Sequence, residues 1–391
     1  VHAAVLAAGG LAGSPRVGLA LVAAAQVVVV AWLTRELGFD RRVAAAAAVV
    51  LAATPLVVHL EITFLAYGTS LVLSMAAAAA AFRAARTGSR RWAAGAGLLW
   101  GMAFFARPYD AVLWGAAIGV GLLVEHRAAV VRLLPAAFGG AVGPLVLLLV
   151  FNGAVTGDPL QLPFTLLEPA DRLGFGPRRA APGDPFVDFT PARGLSALGR
   201  NLLLVVGWAG GGLVGVALAL RQLVRHGTGR SFVVALLVIW PLGYAVFWGS
   251  YMVAFVWDGA LFLGPYYYLP MTAVLAIASG AGLRELYDER PAVAVGAVGA
   301  GLVLSMAILG PALAEQHDRS SQRVVVAEAL DEVVVEPALV FVPPVYGEFL
   351  QNPWSFLRNT PDEDGERIYV VSGSAARDAR IAADHPDRQV V

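Results

Sequence analysis

Phe104-Phe105-Ala106-Arg107-Pro108-Tyr109-Asp110 decides how the chain is read. It sets a cation, a helix-breaking proline, an aromatic ring and a carboxylate between two long apolar runs, 93–105 and 111–124. Charge at such a place is costly in a bilayer unless it has a partner or a task. Proline cannot continue a helix but readily starts one. The stretch therefore reads as the turn between two membrane spans.

The composition outside that turn agrees. The chain has 391 residues, is 58% hydrophobic and carries 14% charged residues, with a mean hydropathy of +0.69. Soluble domains carry about 25% charged residues, so a soluble core of this length is excluded. Zero net charge removes any bulk electrostatic case for nucleic acid. With no cysteine there are no disulfides, no thiol catalysis and no cysteine metal site. All basic residues are arginine, which with abundant Ala, Val and Gly suggests a GC-rich bacterial genome. The first residue is Val1, not Met, and the true N-terminus is expected to lie upstream.

Apolar runs predict about ten spans, near 16–34, 43–59, 62–82, 92–106, 111–124, 133–151, 201–220, 231–250, 260–283 and 292–309. If they alternate, the arginine clusters beginning at Arg35, Arg83, Arg127, Arg221 and Arg284 fall on one side. The positive-inside rule makes that side cytoplasmic. His59, Glu61, the Arg107–Asp110 turn, a long loop over 152–200, Asp258 and the C-terminal tail then share the outer side. The expected fold is an α-helical polytopic membrane protein, with a membrane domain over 1–311 and a small extracytoplasmic α/β unit over 312–391. In that unit 320–333 and 374–383 read as helices, and 338–342, 367–371 and 388–391 as strands. No solenoid-spaced or inverted repeat is visible.

Candidate site residues gather on the predicted outer side, each with an ordinary reading beside the functional one. Arg107 and Asp110 can be a simple turn pair with Tyr109 as an interfacial anchor, or Arg107 can face a phosphate, which its planar fork suits. His59 and Glu61 read more readily as solvated groups at span ends than as an acceptor-side carboxylate with a neighbouring imidazole. Tyr67 can be core. Asn152 and Asp158 open the long loop at a Gly-Asp-Pro turn. Tyr266 and Tyr267 sit in Gly264-Pro-Tyr-Tyr-Tyr-Leu-Pro270, an aromatic belt or a wall on which a sugar can stack. Gly210-Gly-Gly212 reads as a packing site inside a span. Phosphate-loop and dinucleotide fingerprints are absent, and no His/Asp/Glu set has metal-ligand spacing.

Taken in order, several features resemble the bacterial membrane glycosyltransferases of the GT-C type, related to protein mannosyltransferases and lipid A aminoarabinose transferases. These are Arg35-Glu-Leu-Gly-Phe-Asp-Arg-Arg42, Thr54-Pro55…Glu61…Thr69, Gly101…Ala106-Arg107-Pro108, Phe151-Asn152…Thr156-Gly157-Asp158-Pro159 and Gly264-Pro265…Tyr268-Leu269-Pro270. Pro353-Trp354…Pro386-Asp387-Arg388 in the tail is similar to an actinobacterial group of the same kind. The resemblance implies inverting transfer of a sugar from a polyprenyl-phosphate donor to a lipid, glycan or protein acceptor, at the outer face of the bacterial cytoplasmic membrane. It implies no nucleotide sugar, and leaves metal dependence open. It places Arg107, Tyr109, Tyr266 and Tyr267 on the donor side, and His59, Tyr67, Asn152 and Asp158 on the acceptor side or its loop. Glu61, Asp158 and Asp258 are candidates for an accessory carboxylate, the main base being expected in a first outer loop upstream of Val1. The related group carries a histidine near Tyr67 and an arginine near Tyr266. Tyrosine at both places shifts phosphate work to Arg107, or to Arg172 or Arg178. The alternatives are a flippase for a lipid-linked glycan and a catalytically inactive scaffold.

Overall fold

The structure is a computed structural model in which residues 1–179, 186–224, 229–256, 263–334, 337–342, 359 and 364–391 are described. They form two compact units, 1–178 with 187–312 and 179–186 with 313–391. The first is built from α1 (His2–Leu11), α2 (Pro15–Glu36), α3 (Arg41–Ala52), α4 (Pro55–Glu61), α5 (Tyr67–Thr87), α6 (Arg90–Ala106), α7 (Pro108–Thr156), α8 (Pro163–Leu167), α9 (Pro191–Trp208), α10 (Gly212–Val224), α11 (Arg230–Ala245), α12 (Trp248–Phe255), α13 (Leu269–Glu289) and the first part of α14 (Pro291–Val333). Proline opens many of these helices, where its missing N–H costs nothing.

α2, α5, α7 and residues 291–318 of α14 are each long and apolar enough to cross a bilayer, and counting each bent pair as one span gives up to seven crossings. The expected count of about ten is not reached on that measure, partly because several expected spans are bent. α3 and α4 meet at 59°, α9 and α10 at 103°, and α11 and α12 at 86°. The second break falls at Gly210-Gly211-Gly212, so the expected span over 201–220 is not one helix. Gly211 and Gly212 have φ of +78° and +54°, a region glycine enters without steric cost. The triplet still packs closely, with Gly210 against Val50 and Gly211 against Gly301.

α7 spans 49 residues but breaks at His126, where φ is −141°. α6 touches both halves. Trp100 Nε1 donates to Ala111 O at 2.7 Å, and Gly115 lies under the Trp100 indole. Then Ala93 meets Leu133, Gly97 meets Ala137, Gly101 meets Ala141 and Pro144, and the Phe105 and Phe151 rings lie 5.6 Å apart. The first half therefore runs antiparallel to α6 and the second parallel to it. α7 thus doubles back at His126, and the two apolar runs at 111–124 and 133–151 are separate antiparallel segments.

The connections between helices sort to two ends. At one end Glu36 pairs with Arg83 at 3.1 Å and with Arg86. Gly229 packs on Leu37, and Gly88 lies beside Arg132. Glu125 accepts from Gly229 N at 3.2 Å and from the Ser231 hydroxyl. Arg221 pairs with Glu289 at 2.6 Å, and Asp40 lies within electrostatic reach of Arg284. The arginine-rich connections thus share one end, as their parity predicts. The opposite end gathers the aromatic and polar residues treated below. The long loop is shorter than expected, because α9 begins at Pro191, and it holds α8 and a hairpin of β1 (Gly176–Arg178) with β2 (Val187–Phe189).

In the second unit β3 (Ala338–Val342), β4 (Arg367–Val371) and β5 (Gln389–Val390) form a parallel sheet in the order β4-β3-β5. α15 (Ala375–Asp384) connects β4 to β5. These strands and this helix lie where the sequence predicts them, and 320–333 is helical as part of α14. The Pro353-Trp354 motif lies outside the described residues.

Two outcomes are expected. Because the chain has no native cysteine, single cysteines report membrane sidedness cleanly. Leu160→Cys, at a position 82% exposed, should react with an impermeant maleimide on intact cells, and Arg90→Cys only after permeabilisation. The opposite pattern inverts the orientation. Gly97→Leu should destabilise the folded protein by about 1–3 kcal/mol, read as a lower unfolding temperature in detergent, because even a Cβ there meets the Ala137 carbonyl.

Candidate functional site

Arg107 stands where α6 ends and α7 begins, with extended backbone (φ −151°). Its Nε donates to Asp110 Oδ2 at 2.7 Å and its Nη2 to Asp110 Oδ1 at 3.4 Å. Its guanidinium lies over the Tyr67 ring at 3.7 Å. Asp110 is 3% exposed and also accepts from the Tyr244 hydroxyl. Its place in the first turn of α7 suits a carboxylate, since a helix N-terminus favours negative charge. The turn pairing expected of Arg107 and Asp110 is present, but it is set among packed aromatic rings rather than in open solvent.

Those rings come from four parts of the chain. Tyr266 and Tyr267 lie 4.3 Å apart, in the short 3-10 turn Tyr266–Tyr268. Tyr67 stands 4.9 Å from Tyr266 and 5.9 Å from Tyr267. Tyr267 lies 5.2 Å from Tyr244 and 5.0 Å from Phe247, and its carbonyl accepts from Trp240 Nε1 at 2.8 Å. Tyr109 lies 5.3 Å from Tyr244 and donates to Gly243 O. Tyr266 is 3% exposed, so the tyrosine run is not a lipid-facing belt. The 3-10 turn points its rings into the bundle.

Arg107 keeps one edge of its fork for something else. Its side chain is 21% exposed, and Nη1 makes no hydrogen bond among the described residues. A guanidinium held on one edge by a carboxylate and on one face by a ring offers a fixed, charge-assisted donor to an anion.

The acceptor-side candidates are distributed differently. His59 is fully buried, edge-on to Trp208 at 5.5 Å, and so is not solvated. Glu61 also turns inward. It accepts from the Gln26 amide, and a Cβ on Gly68 would collide with its carboxylate. The bend between α3 and α4 tucks both residues into the bundle. Tyr67 and Gly68 open α5, and they meet Arg107 and Glu61 respectively. Asn152 and Asp158 are not brought to the Arg107 cluster. Asn152 is 2% exposed and donates to Pro159 O at 3.1 Å, while Asp158 accepts from Leu160 N at 2.8 Å. Both hold the turn in place. Arg178 donates from its two Nη atoms to the carbonyls of Pro177 (2.8 Å), Phe175 (2.6 Å) and Leu173 (3.3 Å), and Arg172 is exposed. Asp258 lies outside the described residues.

Sequence reading missed Tyr244, Phe247, Gln26 and the pair Asp171–Trp248. Trp248 Nε1 donates to Asp171 Oδ1 at 2.9 Å, fastening the long loop onto α12. Burial pushes the Asp171 carboxyl above its ordinary range, the Trp248 bond opposes this, and nearby Glu168 adds to it. Gln26 was visible as a lone amide in an apolar span, where such a group needs a partner. Tyr244 gave no such signal. Among the described residues no group of three or more His, Cys, Asp or Glu is arranged to hold a metal ion.

The helices are those of a multi-pass membrane protein, with a cation set among aromatic rings at one end of the bundle. Residues 8–152 match the family model described as dolichyl-phosphate-mannose-protein mannosyltransferase. Over that stretch the chain is similar to that family, in line with the resemblance its sequence carries. Residues 338–390 match a model described as a domain of unknown function, DUF7846. No curated protein matches the chain. Among solved structures, an Archaeoglobus fulgidus oligosaccharyltransferase in the apo form is similar at 15% identity with a TM-score of 0.36. The match covers 76% of this chain and 44% of that one.

Removing Asp110 should strand the Arg107 cation. Asp110→Ala is expected to cost about 3–5 kcal/mol, as breaking a buried ion pair does. The check is thermal unfolding in detergent, where Tyr244→Phe should cost only about 1 kcal/mol.

Proposed function

We propose that the chain transfers a sugar from a polyprenyl-phosphate donor to a lipid, glycan or protein acceptor. The reaction inverts the anomeric centre and takes place at the outer face of a bacterial cytoplasmic membrane. One observation carries the reading: Arg107 is fixed by Asp110 and Tyr67, with one edge of its fork open, at the end of the bundle opposite the arginine-rich connections. The donor named in the matched family's description is a lipid-phosphate sugar, which fits a single cation beside aromatic rings. The phosphate takes the free edge of Arg107, and the sugar lies beside Tyr267. As the bond from the anomeric carbon to the phosphate oxygen breaks, charge grows on the leaving phosphate. A preset donor stabilises that charge without having to reorganise. Glu61 acts from inside the bundle, against Gly68 at the start of the helix that carries Tyr67.

The test is sugar transfer by membranes carrying the full-length protein, supplied with a polyprenyl-phosphate sugar. Arg107→Ala should lower the rate by about 10²- to 10³-fold, the usual loss for one such donor. Arg107→Lys should recover only part of it, since lysine keeps the charge but not the fork. Unchanged transfer by Arg107→Ala removes Arg107 from the mechanism.

A further inference from the structure

α9 opens at the aromatic end of the bundle. A Cβ on Gly194 would stand 2.3 Å from the Ala245 carbonyl oxygen, and Ala245 follows Tyr244, whose hydroxyl holds Asp110. One face of α9 is buried, and from it Asn201 Nδ2 donates to Ser250 Oγ at 3.0 Å and to Ser250 O at 3.1 Å. These bonds fix α9 against α12. Arg193 and Arg200 lie two turns apart on another side of α9, about 10 Å along its axis. Each guanidinium meets a ring of α12. Arg193 lies 5.5 Å from the Tyr251 ring and Arg200 lies 4.9 Å from the Phe255 ring. Those two rings are 5.2 Å apart.

Nothing in the chain neutralises this pair. Arg193 donates from Nη1 to the backbone carbonyl of Asp188 at 2.6 Å. Arg200 makes no hydrogen bond, and neither arginine pairs with a carboxylate among the described residues. Both are exposed. Arginine at the opposite end follows from the positive-inside rule, which gives no reason for two uncompensated arginines here. Aromatic faces steady the guanidiniums but supply no net charge. An anion beside them does. The surroundings decide which kind of anion: on the same helix Leu195 and Leu203 are left 67% and 76% exposed. Cations next to exposed leucines suit a molecule with a charged head and apolar chains.

We infer that Arg193 and Arg200 hold the headgroup of an anionic phospholipid in the leaflet at the aromatic end. The phosphate accepts from the two guanidiniums, whose planar forks suit its oxygens, and the acyl chains run along Leu195 and Leu203. Tyr251 and Phe255 act as positioning residues, keeping both cations turned to one place. The site is separate from the Arg107 cluster, and the inference does not depend on sugar transfer.

The chain has no native cysteine, so a fluorophore on Leu203→Cys reports the lipid at this place. The labelled full-length protein is set in phosphatidylcholine bilayers. Quenching is compared for phosphatidylglycerol and phosphatidylcholine carrying a nitroxide on one acyl chain. Phosphatidylglycerol should be preferred by about fivefold for each arginine. Arg200→Gln should lose about fivefold of that preference, Arg200→Lys should keep most of it, and Arg193→Gln with Arg200→Gln should abolish it. Unfolding temperatures in detergent confirm that the variants fold; if the double variant does not, Arg200→Gln decides. A label on Leu195→Cys should give the same order. Equal quenching by the two lipids, or a preference that survives the loss of both arginines, overturns the inference. So does displacement of the lipid by millimolar inorganic phosphate at constant ionic strength, which makes the site one for a free anion.

Discussion

A cation inside an apolar helix bundle has to be compensated, and much of this structure follows from how Arg107 is. Desolvating a guanidinium costs several kcal/mol even after relaxation. Asp110 answers with two hydrogen bonds, Tyr67 with its ring face, and Tyr244 by holding Asp110 from 134 residues away. Each partner is brought by a different helix. The Arg107 turn is therefore a junction that α5, α7 and α11 must share, and it sets where their ends meet.

The remaining charges obey the same constraint by a different route. Glu36 is buried, but it sits at a helix end with Arg83 and Arg86 around it. Arg221 pairs with Glu289 at the same end, where side chains reach polar surroundings. Between the ends, close approach rests on small residues and a few side-chain hydrogen bonds. Gly140 meets Ala94, Ser279 donates to Gly215 O at 2.7 Å, and Asn201 donates to the Ser250 hydroxyl at 3.0 Å. In a bilayer, packing and such bonds hold helices together, because lipid removes the hydrophobic drive between them. The two ends thus differ in kind: one is an electrostatic rim, the other a polar site walled by rings.

Several site residues were legible in the sequence for a physical reason. Arg107, Asp110 and the tyrosine run break an apolar pattern, and a broken pattern in a membrane chain demands a cause. Tyr67 was legible as core but not as the face under a cation, because that contact depends on how α5 meets α6. Tyr244 was invisible, since one tyrosine in an apolar run can point anywhere. His59 and Glu61 were misplaced. Their position near span ends suggested solvent, but the bend after Ala52 turns them inward to Trp208 and Gln26. Asn152 and Asp158 make the hydrogen bonds of the Gly-Asp-Pro turn.

Sequence alone determined the membrane class, the clustering of arginines at one end and the strands and helix of the C-terminal unit, because apolar run length, charge placement and turn residues are local properties. Tertiary structure decided the rest. The doubling back of α7 at His126, the sharp break at Gly210–Gly212 and the fastening of Asp171 by Trp248 depend on which surfaces meet. So does the convergence of rings from α5, α7, α11 and the 3-10 turn on one guanidinium. A contact between residues more than a hundred positions apart leaves no periodicity to read. It exists only once the helices have packed.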